Sequence, residues 1–115
     1  MNRLLALLCL PIAVSACGGS SVSVANKEMC IVEVAQRLSD CASDGECERG
    51  VARFAGYCYN DAPGDQMDIC RGGRYFFEQP LKELAEKHDI VAGLSKKHRE
   101  VIIRSGEVYC NYNFN

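Results

Sequence analysis

Residues 30–58 read CIVEVAQRLSDCASDGECERGVARFAGYC, and this stretch places four cysteines in two equal pairs. Cys30 and Cys41 are eleven residues apart, and so are Cys47 and Cys58. Eleven residues make about three helical turns, so each pair lies on one face of its own helix. The five-residue connector between the pairs suits two antiparallel helices. We therefore predict a helical hairpin with two disulfide rungs, Cys41–Cys47 beside the turn and Cys30–Cys58 at the open end.

The remaining two cysteines of the domain, Cys70 and Cys110, pair by elimination once those rungs form. In the chain-entropy description, a disulfide that closes a loop of about 40 residues stabilises the fold by roughly 4 kcal/mol. Zinc ligation is the weaker alternative, because the chain contains no C-x-x-C and its two histidines are distant in sequence. The fold class expected is all-α, a small helical domain stapled by disulfides.

The spacing of residues 30–58 resembles that of twin C-x-n-C helical hairpins, here with ten residues between the cysteines of each pair. The resemblance is geometric and covers this hairpin alone. It implies an architecture and carries no function with it.

Residues 1–16 have the features of a cleaved signal peptide that directs export. Arg3 supplies the positive charge, residues 4–14 are apolar, and Ser15 and Ala16 are small. An apolar stretch of this length is too short to span a bilayer. The chain is therefore expected to be exported from the cytoplasm to an oxidising compartment, in which disulfides persist.

The four residues from Val14 to Cys17, VSAC, resemble the lipobox of bacterial lipoproteins, whose final cysteine is acylated and becomes the first residue of the mature chain. The resemblance implies lipidation of Cys17, palmitate included, and membrane attachment through that anchor. Gly18 after the acylated cysteine favours the outer membrane, with the domain facing the periplasm. The alternative is ordinary cleavage after Ala16, which leaves an odd, unmodified thiol at Cys17.

Three segments follow from these signals: a signal peptide over 1–16, a lipid anchor with a flexible tether over 17–26, and a single domain over 27–115. The whole chain carries 13 basic and 15 acidic residues, for a net charge of −2. No dominant basic field indicates binding to nucleic acid.

Apolar periodicity and capping residues predict the helices beyond the hairpin turn. The expected elements are a first helix over 27–40, a second capped by Ser43 with Glu46, a third starting near Asp65, a fourth over 81–88 with Pro80 before it, and a fifth capped by Ser95 and ended by Gly106. The tail 108–115 alternates aromatic residues and is expected to be a short strand-like or irregular strap.

Residues able to perform catalysis are scarce in this chain. His88 and His98 stand among charged residues, which is typical of a solvated helix face, and paired cysteines offer no thiolate. The acidic residues of 61–68 match no calcium-loop pattern and are explained by a turn at Pro63. The basic cluster 96–99 indicates either an acidic partner or a solubilising face. We expect no enzyme activity, no cofactor and no metal.

The better functional signal is a set of aromatic and arginine side chains, the composition of protein interface anchors. They cluster at the hairpin exit, at the glycine pair of 71–74 and in the tail. A groove beside that glycine pair is the predicted partner site, formed by Arg71, Arg74, Tyr75, Tyr59 and Tyr112.

Together these features predict a membrane-anchored periplasmic lipoprotein that binds another envelope or toxin protein, as an inhibitor or immunity-type protein. The alternative is an accessory lipoprotein of a membrane complex, either a pilotin-like assembly factor or an exclusion factor. The two differ in partner, which is a soluble protein in the first case and a large complex in the second.

Overall fold

A computed structural model describes residues 24–71 and 77–114, with side chains described as far as residue 111. Within these ranges the regular structure consists of five α-helices and one 3-10 turn, without a strand. The all-α prediction is confirmed. The predicted signal peptide, Cys17 and residues 18–23 of the tether lie outside the described residues.

The elements follow one another with short connections. They are α1 (Lys27–Cys41), α2 (Gly45–Asp61), a 3-10 turn (Gln66–Asp68), α3 (Glu78–Lys87), α4 (Asp89–Ala92) and α5 (Lys96–Phe114). None of the described helices is both long enough and apolar enough to cross a bilayer.

The helical hairpin has the predicted rungs. Cys41 is bonded to Cys47 beside the turn, and Cys30 is bonded to Cys58 at the open end. The Cα separations of 5.6 and 5.8 Å are usual for disulfides. The third bridge joins Cys70, after the 3-10 turn, to Cys110 on α5.

The open end of the hairpin is also held by a buried lysine. Lys27, in the first turn of α1, donates hydrogen bonds from Nζ to the carbonyl oxygens of Tyr59 and Ala62, at 2.6 and 2.8 Å. These carbonyls end α2 and lack helical partners, so the ammonium satisfies them and complements the helix dipole. Burial lowers the pKa of Lys27, while Asp61, Asp68 and Asp65 oppose that shift.

The start of α2 differs from the prediction. Asp44, not Ser43, caps the helix, since its Oδ1 accepts hydrogen bonds from the backbone N–H of Glu46 and of Cys47. The chain reverses at Ala42 with a φ of 56°, and this places Asp44 rather than its neighbour at the N-cap.

The helix expected near Asp65 is only the 3-10 turn Gln66–Asp68, whose first residue is preceded by Asp65 as N-cap. A true helix, α3, begins at Glu78 and carries Pro80 in its first turn, where a proline costs no hydrogen bond.

The final helix is longer than predicted. Ser95 caps α5 as expected, because its Oγ accepts a hydrogen bond from the backbone N–H of His98. The helix then continues through Gly106 to Phe114, so the prediction of a terminating glycine and a strand-like tail is wrong. Gly106 is there for packing: a Cβ at this position would clash with ring carbons of the fully buried Phe77.

Helices α2 and α5 run parallel to each other and pack along most of their length. Glu48 contacts His98 near their N-terminal ends, and the rings of Tyr59 and Tyr109 lie 5.8 Å apart near their C-terminal ends. Both pairs are separated by fifty residues, which fixes the register. Helix α1 packs against both α2 and α5 and also contacts α3, α4 and the 3-10 turn, so α1 is the element that joins the others.

We predict that Gly106→Ala lowers the free energy of unfolding by about 1–3 kcal/mol. The added methyl group overpacks the core against the Phe77 ring, a change that typically costs 1–3 kcal/mol or more. Gly56→Ala on α2 is the matched control, because a Cβ there meets no atom within 4 Å. It should raise stability by up to about 1 kcal/mol through helix propensity. Urea unfolding of both variants measures the difference, and equal effects would contradict the packing role of Gly106.

Candidate functional site

The predicted partner residues do not all reach the surface. Tyr59 is 0 % exposed and packs its ring edge-on against Phe77, with ring centroids 5.0 Å apart. Its assignment as a partner-binding residue is therefore wrong, and burial raises its pKa well above the ordinary value. Arg74, Tyr75 and the side chain of Tyr112 lie outside the described residues.

Arg71 forms an intramolecular connection. Its guanidinium donates two hydrogen bonds to the Glu83 carboxylate, at 2.7 and 3.1 Å, and lies 3.5 Å from Glu28. Its Nε donates to the carbonyl oxygen of Asp68. The hydrogen bonds from Arg71 hold the pKa of Glu83 at about 2. Arg71 thus joins α1, α3 and the 3-10 turn, and a partner at this position would compete with Glu83.

A larger concave surface lies between α2 and α5, away from Arg71. It has a volume of about 980 Å³ and extends from Gly45 to Asn60 along α2 and from Lys97 to Tyr109 along α5. We call it the α2–α5 groove. Its floor consists of half-buried small and apolar residues, and its rims consist of exposed ones. The floor includes Ala52, Gly56, Val101 and Ser105; the rims are Arg49, Arg53 and Tyr57 on α2, and Lys97, Arg104 and Val108 on α5.

The two ends of the groove differ in character. The rims carry four cations: Arg49 and Lys97 lie near the N-terminal ends of the two helices, and Arg53 and Arg104 lie near their middles. Since α2 and α5 run parallel, the positive ends of both helix dipoles lie at the same end as Arg49 and Lys97. This half of the groove is therefore suited to carboxylates or other anions.

The other end of the groove is apolar and uncovered. Tyr57 is 61 % exposed and Val108 is 70 % exposed, although both are large hydrophobic side chains. Between the two rims, the Cα of Gly56 faces open space. A hydrophobic surface shaped in this way marks an interaction site more often than single scattered residues do.

Among the residues that the structure describes, Glu48 is the one acidic residue lining the groove, and its charge is already paired. It is buried, with Oε2 2.8 Å from Nε2 of His98 and Oε1 3.2 Å from Nζ of Lys97. Burial raises the pKa of Glu48, but the hydrogen bonds from His98 and Lys97 outweigh it and leave that pKa below its ordinary value.

The same contact corrects the interpretation of His98 as a solvated residue. His98 is 8 % exposed, because the parallel packing of α2 and α5 places it against Glu48. The sequence shows charged neighbours around His98. Its partner, Glu48, lies fifty residues earlier and is recognised only from the way α2 and α5 pack.

Across the described residues there is no group of three or more histidine, cysteine, aspartate or glutamate side chains able to hold a metal ion. What the groove provides is an apolar floor, cationic rims and fixed geometry.

Comparison with known proteins gave no match: no protein family, no curated protein and no solved structure is significantly similar to this chain. The function is therefore argued from the groove itself. The position of the groove was not predicted, because α5 was expected to end at Gly106 and Val108 and Tyr109 were therefore not expected to be helical. A signal was nevertheless present in α2, where Arg49, Arg53 and Tyr57 recur every four residues on the face opposite the cysteines.

We predict that the free energy of unfolding falls in acid partly because of Glu83. Its pKa of about 2 lies below the ordinary value of 4.5, so the stabilisation is fully present above about pH 4.5 and is lost as the pH falls towards 2. Glu48 contributes in the same direction. Glu83→Gln should flatten the decline, as measured by urea unfolding at about pH 5, 4 and 3.

Glu86→Gln, at an exposed position of the same helix, is the matched control and should keep the slope of the unmodified protein. An unchanged slope in Glu83→Gln would show that the Arg71 contact does not act as described.

Proposed function

We propose that this protein is a membrane-anchored extracytoplasmic lipoprotein that binds another protein of the cell envelope through the α2–α5 groove. The observation that carries the proposal is the apolar end of the groove, where Tyr57 and Val108 remain exposed beside the open surface over Gly56. Leaving these side chains in water forgoes about 25 cal/mol for each Å² that a partner would cover.

The rigidity of the groove supports a binding role. Helix α2 is fixed to α1 by two disulfides and by the hydrogen bonds of Lys27, and α5 is tied to the 3-10 segment by Cys70–Cys110. A surface that is already ordered loses less conformational entropy on association, so more of the contact free energy appears as affinity.

The proposed location rests on the leader. The lipobox-like residues before Cys17, and a disulfide in every described cysteine pair, are consistent with an exported and oxidising setting. A short tether after Cys17 would hold the domain close to the membrane, with the outer membrane as the proposed site. There the groove would meet a protein that is itself in the envelope or that arrives there, such as a toxin.

We expect Cys17→Ser to abolish incorporation of labelled palmitate and to release the protein from the membrane fraction, because serine lacks the thiol that is acylated. Cys9→Ser, a change within the predicted leader, is the matched control and should keep both properties. Palmitate labelling that persists in Cys17→Ser would refute the anchor at this position.

The groove is tested by site-specific photo-crosslinking in the cell that makes the protein. A photoreactive phenylalanine at Tyr57 should give a covalent adduct with a partner, because this side chain lies at the uncovered end. The same residue at Gln36, exposed on α1 outside the groove, is the control and should give none. Equal adducts at both positions, or none at Tyr57, would contradict the proposal.

The identity of the adduct decides between the two versions of the function. A soluble toxin or enzyme in the adduct indicates an inhibitor or immunity-type protein. A subunit of a large membrane complex indicates a pilotin-like assembly factor or an exclusion factor.

A further inference from the structure

We propose that the α2–α5 groove binds an acidic amphipathic helix of the partner protein, with the carboxylates of that helix beside Arg49, Arg53 and Arg104 and its apolar residues at the Tyr57–Val108 end. This inference rests on the proposed function, since it specifies the segment that the groove would take.

The dimensions of the groove suit a helix. It extends from Gly45 to Asn60, which at 1.5 Å per residue is about 22 Å, the length of a helix of roughly 15 residues. Two parallel helices present a continuous valley between their exposed rims, and a third helix packs into such a valley by ridges and grooves. Helix-in-groove docking is a common mode of peptide recognition.

Charge complementarity indicates that the occupant of the groove carries negatively charged side chains. Among the described residues, Arg49, Arg53 and Arg104 take part in no ion pair, whereas Glu48 is paired with Lys97 and His98. Three unpaired guanidinium groups thus line one half of a groove in a chain whose net charge is −2. Arginine binds carboxylates in a bidentate geometry, so acidic side chains of a partner satisfy these rims.

The apolar end of the groove indicates that the other half of the bound helix carries apolar side chains. A Cβ at Gly56 meets no atom within 4 Å, so the space above this glycine accepts a large side chain from the partner. Tyr57 and Val108 flank that space and supply apolar contact from both rims. An occupant with a ridge of leucine-like residues at helical spacing fills it.

Two other occupants fit less well. A second copy docked groove to groove in parallel would place Arg53 and Arg104 against the same cations, and like charges repel. Docked antiparallel, it would place these arginines against Tyr57 and Val108, which supply no carboxylate. A lipid acyl chain is far narrower than a helix and would stay half exposed to water in a valley open along its length, so its apolar area would be poorly covered.

The test is a selection of displayed 16-residue helical peptides against the whole protein. Binders are expected to carry at least two Asp or Glu residues in one half and an apolar ridge at i, i+3, i+4 and i+7 along the helix. The affinity of a selected peptide should fall at least tenfold in Arg104→Glu and fall less in Arg104→Lys, which keeps the charge but loses the bidentate geometry. Lys82→Glu, on the exposed surface of α3, is the matched charge-reversal control and should have no effect.

A second pair of variants tests the apolar end. Gly56→Leu should abolish peptide binding by filling the space, while Gly56→Ala should keep affinity within about threefold. Circular dichroism should show both variants folded, since the added atoms point into open space.

Three results would overturn the inference. They are selected peptides without acidic residues, binding that is indifferent to Arg104→Glu, and a failure to select any peptide. Binding to vesicles of phosphatidylglycerol that Arg104→Glu abolishes would reassign the groove to anionic lipid, and a dimer lost in Gly56→Leu would reassign it to a second copy. A Tyr57 cross-link formed while selected peptides lack acidic residues would leave the proposed function standing and refute only the acidic helix.

Discussion

The open end of the α1–α2 hairpin is the constraint on which the rest of the structure depends. There the Cys30–Cys58 disulfide and the ammonium of Lys27 hold the last turn of α2 against the first turn of α1. The same ammonium lies 5.9 Å from the centre of the Tyr109 ring on α5, so one buried cation lies between three helices. In the chain-entropy description this bridge, whose cysteines are 28 positions apart, contributes about 3.5 kcal/mol, against about 2 kcal/mol for the short Cys41–Cys47 loop. The hairpin is therefore held together more strongly at its open end, where Lys27 also contacts Tyr109 of α5.

The parallel register of α2 and α5 gives the groove between them two different ends, one cationic and one apolar. Because Glu48 meets His98 and Tyr59 meets Tyr109, the cationic rims of the two helices lie side by side instead of at opposite ends. An antiparallel arrangement would have placed Arg49 near Val108 and mixed charge with apolar surface. Both helix dipoles also point the same way, which adds to the positive character of one end. The asymmetry of the groove is thus a consequence of topology, not of composition, since the whole chain is slightly acidic.

The fold was predictable from cysteine spacing to an unusual degree, and the groove was not. Two pairs of cysteines at equal separation define the hairpin without tertiary information, because disulfides and helical periodicity are local rules. The length of α5 was not predicted because the low helix propensity of glycine suggests that the helix ends at Gly106. The role of Gly106 is instead to make room for Phe77, a residue 29 positions earlier in the chain. Tyr59 was misplaced for a related reason: aromatic composition suggests an interface, but the hydrophobic core recruits the same side chains when no tryptophan is present.

Gly106 also explains how the core and the groove are coupled. The ring of Phe77 reaches the backbone of α5 at this glycine, and Ile102 and Cys110 lie buried one turn to either side. This close approach pins one face of α5 onto the core, and the Cys70–Cys110 bridge fixes the following turn. With that face held, the positions at Arg104 and Val108 must point away from the core towards the rim of the groove. A buried glycine that supports no function of its own thus fixes the direction in which the exposed rim presents its charge and its apolar surface.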